Sequence, residues 1–231
     1  MWALLAALPA LLLAGPACAQ AQVLQASDLS QPVALAPDQG AILVGIRRTA
    51  PGASRRDVRI ALARFDAEGR TLLLPDRSEL RRRDGPNWFV NLASRGKSLP
   101  FDLLLIPVTA GDWVLYGAQA EVDGRLSVAF CFGAPVVRVN PGEVAYFGDL
   151  TPFTRNNFWS ARNQISEPNI ETIATAWSSD PEGARARLAE RQPGLSPALR
   201  PADMRNGATF PCALLFQRHF LIPGIPELGA S

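Results

Sequence analysis

The chain has 231 residues, 48% of them hydrophobic and 19% charged, with a formal net charge of +2. That apolar content supports a buried core and lies outside the disordered regime. The near-neutral balance gives no general reason to expect nucleic acid or an anionic membrane as partner.

Met1 to Ala19 read MWALLAALPALLLAGPACA. A short apolar run, a Gly15-Pro16 break and small residues at Ala17 and Ala19 match a secretory signal peptide with an Ala-x-Ala cleavage site. No Lys or Arg precedes the run, so the usual basic start is missing. The run is short for a bilayer, and no later stretch of about twenty apolar residues occurs, so the mature chain is not expected to span a membrane. Cleavage after Ala19 leaves about 210 residues and a periplasmic or secreted protein. Gly15 stands three places before Cys18, where a lipoprotein signal normally carries Leu, which argues against lipid anchoring through Cys18.

Residues 20–40 are polar, with Pro32 and Pro37, and read as a linker. From 41 to 150, short apolar runs alternate with turn signals. Ala41 to Ile46 reads as a buried strand. Val58 to Phe65 alternates, with Val58, Ile60 and Leu62 on one face and Arg59, Ala61 and Ala63 on the other. Ala67 to Arg70 turns that strand, and Thr71 to Leu74 pairs back as a hairpin. Trp88 to Leu92 follows the Asp84-Gly85-Pro86 turn. Phe101 to Val108 is nearly all apolar, as in a central strand. Asp112 to Gln119, Leu126 to Phe132, Val136 to Val139 and Glu143 to Phe147 continue the series. Many strand-length runs with Gly, Pro and Asp turns predict a mainly β protein, an antiparallel β-sandwich.

Residues 151–231 read as a loop, a strand, one helix and an apolar tail packed on that core. Glu171 to Trp177 carries β-branched Thr172, Ile173 and Thr175, which favour a strand. Asp180, Pro181 and Glu182 open a helix running to Arg191, with Ala184 and Leu188 as its buried stripe. So narrow a stripe suits packing on a sheet edge or end. The tail holds Leu214, Leu215, Phe216, Phe220, Leu221 and Ile222.

Signal removal takes Cys18 and leaves Cys131 and Cys212. An even pair in an oxidising compartment reads as a disulfide. It closes a loop of about 80 residues, on the order of 4 kcal/mol in the chain-entropy view.

Val108 to Tyr116 (VTAGDWVLY) and Val136 to Asp149 (VVRVNPGEVAYFGD) together resemble a group of uncharacterised bacterial secreted proteins and lipoproteins with small prealbumin-like β-sandwich domains. Gly111 and Gly142 permit tight turns, and Trp113, Leu115, Val144 and Tyr146 or Phe147 supply alternating core contacts. The resemblance covers about residues 40 to 150. It implies a fold and no activity. Trp113 stands where that group usually has Tyr.

Catalytic signatures are sparse. His219 is the one histidine, and no Gly-x-Ser-x-Gly elbow accompanies it. A zinc site lacks ligands once the cysteines pair, and no cofactor is implied. Ser94 and Lys97 have the Ser-x-x-Lys spacing, but Gly96 and Pro100 argue for a loop, and no second Lys exists for the companion motif. Asp102, Asp112, Glu121, Asp123, Glu143 and Asp149 contain the carboxylates a glycosidase would need; turn and edge roles explain them as well. Arg81, Arg82 and Arg83, with Arg77, Arg47-Arg48 and Arg55-Arg56 elsewhere, form the densest basic cluster. They suit a solvated face or an anionic partner such as a phosphorylated or acidic glycan. Phe153, Phe158 and Trp159, in a polar stretch, either fold over the sandwich end or stack on a sugar ring or partner. The expectation is a non-catalytic envelope accessory or binding protein. A carbohydrate-binding module and a small carboxylate-based glycoside hydrolase are the alternatives.

Overall fold

The structure, a computed structural model, describes residues 23–25, 32–47, 58–73, 89–94, 101–121, 125–150, 177–211, 216–217 and 219–229. Fourteen strands occur among the described residues: β1 (Val23–Gln25), β2 (Gln39–Arg47), β3 (Val58–Asp66), β4 (Thr71–Leu72), β5 (Phe89–Ser94), β6 (Phe101–Thr109) and β7 (Gly111–Glu121); then β8 (Arg125–Ala129), β9 (Ala134–Val139), β10 (Val144–Leu150), β11 (Trp177–Ser178), β12 (Leu199–Pro201), β13 (Asp203–Ala208) and β14 (Phe216–Gln217). Among the described residues there is one α-helix, α1 (Pro181–Arg191), between β11 and β12.

The fold is mainly β and two-sheeted, as the turn-punctuated sequence predicts. The first sheet runs β1-β5-β3-β7-β8-β14, with β4 on β3, β9 on β7 and β13 on β9. The second runs β11-β10-β2-β6, with β12 also on β10. Antiparallel ladders dominate, including β2–β6 and β3–β7. The β2–β10 ladder is parallel.

Between the sheets lies the main core. Ile42, Val44, Ile46, Leu104, Ile106, Val108, Ala145 and Phe147 of the second sheet meet Ile60, Leu62, Trp113, Leu115, Val137 and Val139 of the first. Strand residues two apart share a face, so the odd-numbered residues of β2 and β6 point the other way. Ala41, Leu43 and Leu105 do so, and with Val144 and Tyr146 they form a second, smaller core beneath Ala184, Leu188 and Leu199. The second sheet is therefore covered on both faces, which is why β2 reads as an unbroken apolar run.

The same cause corrects the reading of β6. Its apolar sequence suggests a central strand, yet among the described residues β6 sits at the sheet end and pairs with β2 alone. Continuous hydrophobicity reports two covered faces, not two strand neighbours.

α1 begins and ends where expected. The Asp180 carboxylate accepts from the Gly183 amide at 2.9 Å, and Pro181 fills the first turn. The helix lies on the outer face of the second sheet rather than at an edge, because Leu43, Leu105 and Val144 offer an apolar floor there. The β3–β4 hairpin forms, with Phe65 opposite Leu72, but its return strand, read over Thr71 to Leu74, ends at Leu72; Asp66 accepts from the amides of Glu68 and Gly69 in its turn. Ala63, read on the face opposite Ile60 and Leu62, is also buried in the main core. The strand read as Leu126 to Phe132 ends at Ala129, and a turn begins at Cys131. Of the strand read over Glu171 to Trp177, only Trp177 lies within the described residues.

Part of the stretch read as a linker takes structure. β1 pairs parallel with β5, and Val33 and Leu35 pack against the smaller core. Phe220 and Ile222 of the tail belong to the main core.

Candidate functional site

Arg81, Arg82, Arg83, Phe153, Phe158, Trp159 and Cys212 lie outside the described residues, as do Arg77, Asp123, Lys97 and the side chains of Ser94, Asp102 and Glu121.

The described carboxylates serve different places. Asp112 and Arg138 face each other across β7 and β9, and the guanidinium donates to both oxygens at 2.8 and 2.9 Å. That bidentate pair raises the Arg138 pKa above its ordinary value, the Asp112 hydrogen bond first and its charge second. Glu143 accepts from the backbone and side-chain amides of Asn140 at 3.2 and 2.6 Å. It thereby holds the Asn140-Pro141-Gly142 turn. Neither arrangement leaves two carboxylates facing one another.

Asp149 is different, being 1% exposed. Tyr146 donates its hydroxyl to Asp149 Oδ1 at 2.7 Å. The same hydroxyl oxygen accepts from the Asp180 amide at 3.4 Å. Arg187 of α1 places Nη2 3.9 Å from Asp149 Oδ1. Strand and helix body thus meet at one buried carboxylate, and the helix cap reaches it through the Tyr146 hydroxyl.

A backbone irregularity creates this meeting. In a regular strand, residues three apart point to opposite faces. Here the β10–β2 register shifts between Tyr146 and Gly148, so Phe147 is an extra residue, and such a bulge re-aims the side chains beyond it. Gly148 has φ +112°, a value costly for residues with a Cβ. A Cβ there would also run into the Trp177 indole and the Ser178 carbonyl. Trp177 in turn donates Nε1–H to the Phe147 carbonyl at 2.9 Å.

Burial, followed by the bond to Asp149, raises the Tyr146 pKa well above its ordinary value. The phenol therefore stays protonated near neutrality and acts as a hydrogen-bond donor. Among the described residues, no group of three or more His, Cys, Asp or Glu is placed to hold a metal ion.

The other concentration of side-chain chemistry is at the C-terminal segment. Cys131 is 2% exposed and disulfide-bonded. Its carbonyl accepts from the Phe210 amide at 3.2 Å, and the Gly133 carbonyl accepts from the Phe220 amide at 2.6 Å. Tyr116 and Phe210 stack at 5.2 Å, and Phe130 tilts against Phe220 at 5.1 Å. Tyr116 reaches that position because it is the extra residue of a second bulge: Ala61 faces Gly117 and Leu62 faces Leu115.

Buried Asn206 clamps the tail. Its side chain donates to the Ile222 and Ile225 carbonyls at 2.8 and 3.1 Å and accepts from the Ile222 amide at 3.0 Å. His219 is exposed, its ring 6.0 Å from that of Phe132, itself 52% exposed. Among the described residues, no serine, cysteine or carboxylate partner joins His219.

The Tyr146–Asp149–Arg187 convergence and the Asn206 clamp were not singled out from sequence as units. Gly148 inside an apolar strand was the available signal, since glycine there often marks a bulge. Nothing local to Asn206 announces a partner sixteen residues away. Set beside known proteins, the chain matches no family model, no curated protein and no solved structure.

Proposed function

We propose that this chain is an exported accessory or binding protein of a bacterial envelope, without catalysis of its own. The observation that carries the reading is the leader-like Met1 to Ala19, with its Ala17-x-Ala19 ending. A disulfide at Cys131 supports it, because disulfides persist in oxidising compartments. So does the resemblance of residues 108–116 and 136–149 to secreted prealbumin-like sandwiches. The binding part of the proposal rests on Arg81 to Arg83 for an anionic group and on Phe153, Phe158 and Trp159 for stacking.

The test expresses the full chain in a bacterium and separates its compartments. Periplasmic protein with its N-terminus near Gln20 is the expected result. Unprocessed protein in the cytoplasm would overturn the proposal, and a diacylated Cys18 would replace the soluble form with an anchored one. Photo-crosslinkers placed at Asp84 and Asn157, beside the proposed binding residues, should capture an envelope protein or acidic glycan. Converting Arg81, Arg82 and Arg83 to Ala should abolish that capture; undiminished capture would remove the arginines from the binding role.

A further inference from the structure

We infer that Asn206-Gly207 is a gated deamidation site. The fold protects the Asn206 amide from its own backbone, and reaction in the opened state converts the clamp irreversibly. This needs no particular compartment and no ligand.

Asn206-Gly207 is the one Asn-Gly pair in the sequence. Such a pair is labile because glycine has no Cβ to shield its amide nitrogen. Hydroxide removes the Gly207 amide proton, and the nitrogen attacks Cγ of the Asn206 side chain. A C–N bond forms and the Cγ–Nδ2 bond breaks. Nδ2 leaves as ammonia, taking a proton from water and restoring the hydroxide. Water then opens the succinimide at either carbonyl, which gives aspartate or isoaspartate.

The fold has a use for each of the two residues. On β13, Arg205 faces Val136 and Ala208 faces Ala134, so one extra residue lies between them. Gly207 takes φ +86° at this bulge, a region that favours glycine. A Cβ there would also run into the Glu227 carboxylate. The position before it needs a short side chain with both a donor and an acceptor, which Asn supplies.

The native geometry blocks the reaction. Asn206 is 3% exposed. Its Nδ2 donates to the Ile222 and Ile225 carbonyls at 2.8 and 3.1 Å, and its Oδ1 accepts from the Ile222 amide at 3.0 Å. Its backbone is fixed as well, N–H to the Pro226 carbonyl at 2.8 Å and carbonyl to the Leu228 amide at 2.7 Å. Attack makes Cγ tetrahedral and expels Nδ2, which is incompatible with these side-chain bonds. Opening must come first. Deamidation is slow beside local opening and closing, so its native rate follows the open population. The product does not close as before. Aspartate sets an oxygen against two carbonyl oxygens that have lost their donor, and isoaspartate adds a methylene to the main chain of β13.

The test ages the full chain in mildly alkaline buffer, native and in urea, and follows deamidation at Asn206 by peptide mass mapping at acidic pH. Reaction in the native chain should be about tenfold slower or more than in urea. Leu228, half-buried against the main core, lies over the clamp. Leu228→Ala should react about threefold faster than wild type in native buffer, and at the wild-type rate in urea. If Leu228→Ala does not fold, wild type in urea below its unfolding midpoint takes its place, and its rate should rise with urea. Asn206→Asp, or the deamidated wild-type chain where that variant does not fold, should exchange the Phe220, Ile222 and Leu228 amides about tenfold faster, with less than about a twofold change in α1. Equal rates in native buffer and urea would overturn the inference. So would a Leu228→Ala rate as slow as wild type, a rate that stays flat with urea, or unchanged exchange after conversion.

Discussion

The two faces of the second sheet are both buried, but they are built differently. The inner face meets another sheet and is filled by apolar side chains such as Ile42, Ile106 and Phe147 against Trp113 and Leu115. The outer face meets a single helix through Ala184 and Leu188, with a small apolar floor. Polar contacts supplement it: Tyr146 to Asp149, Arg185 to the Leu199 carbonyl, and the Val33 amide to Gln192 Oε1 at 2.9 Å. The difference follows from geometry. A sheet offers side chains over its whole width, whereas an eleven-residue helix with two buried residues covers a stripe and is marginal in water on its own. Directional bonds then locate the helix where apolar area is scarce.

Three substitutions sharpen or break that contrast. The largest effect should come from the inner face. Trp113 is fully buried and donates Nε1–H to the Thr109 carbonyl at 3.0 Å, so Trp113→Ala should cost about 3–5 kcal/mol. Chemical denaturation should show the loss as a lower midpoint of the main unfolding transition. A variant as stable as wild type would mean that the inter-sheet core is not the main source of stability.

The intermediate effect belongs to the outer face. Tyr146→Phe removes the donor to buried Asp149 and should cost about 1–3 kcal/mol. It also carries a pH signature. Because burial and Asp149 raise the Tyr146 pKa above its ordinary 10.0, the folded protein holds the phenol proton more tightly than the unfolded chain does. That contribution is complete below about pH 10 and is lost as pH rises further into the alkaline range. Stability of wild type should therefore fall with pH in that window, and Tyr146→Phe should fall less steeply. Equal slopes in denaturation curves across alkaline pH would show that Tyr146 is not the group responsible.

The smallest effect should come from the helix cap. Asp180→Ala deletes the bond to the Gly183 amide and should cost about 0.5–2 kcal/mol. Its mark is local: amide exchange should quicken in α1 before it does in β2. A simultaneous change in both would mean that the two faces form one cooperative unit, with no separate outer layer.

Sequence reasoning reached the elements whose causes are local. The period of β3, the turn residues around Gly69 and Gly142, and the Asp180-Pro181 start of α1 each depend on a few neighbouring residues. Reasoning failed where the cause lay elsewhere in the chain. β12 and β13 have little apolar signal of their own and are recruited by β10 and β9. The position of β6 at the sheet end was illegible because its composition records burial, not pairing.

The residues singled out for chemistry divide in the same way. Asp112, Glu143 and Asp149 were visible as carboxylates. Only the fold decides that the first meets Arg138, the second closes a turn and the third is sealed under a helix. By itself, the sequence determined a β-rich chain, the capped helix α1, and which residues are apolar enough to be inside. Tertiary structure decided which face of the second sheet the helix covers, which carboxylate is buried, and that the tail completes the core. Propensity and periodicity act over a few residues, whereas those outcomes depend on surfaces brought together from opposite ends of the chain.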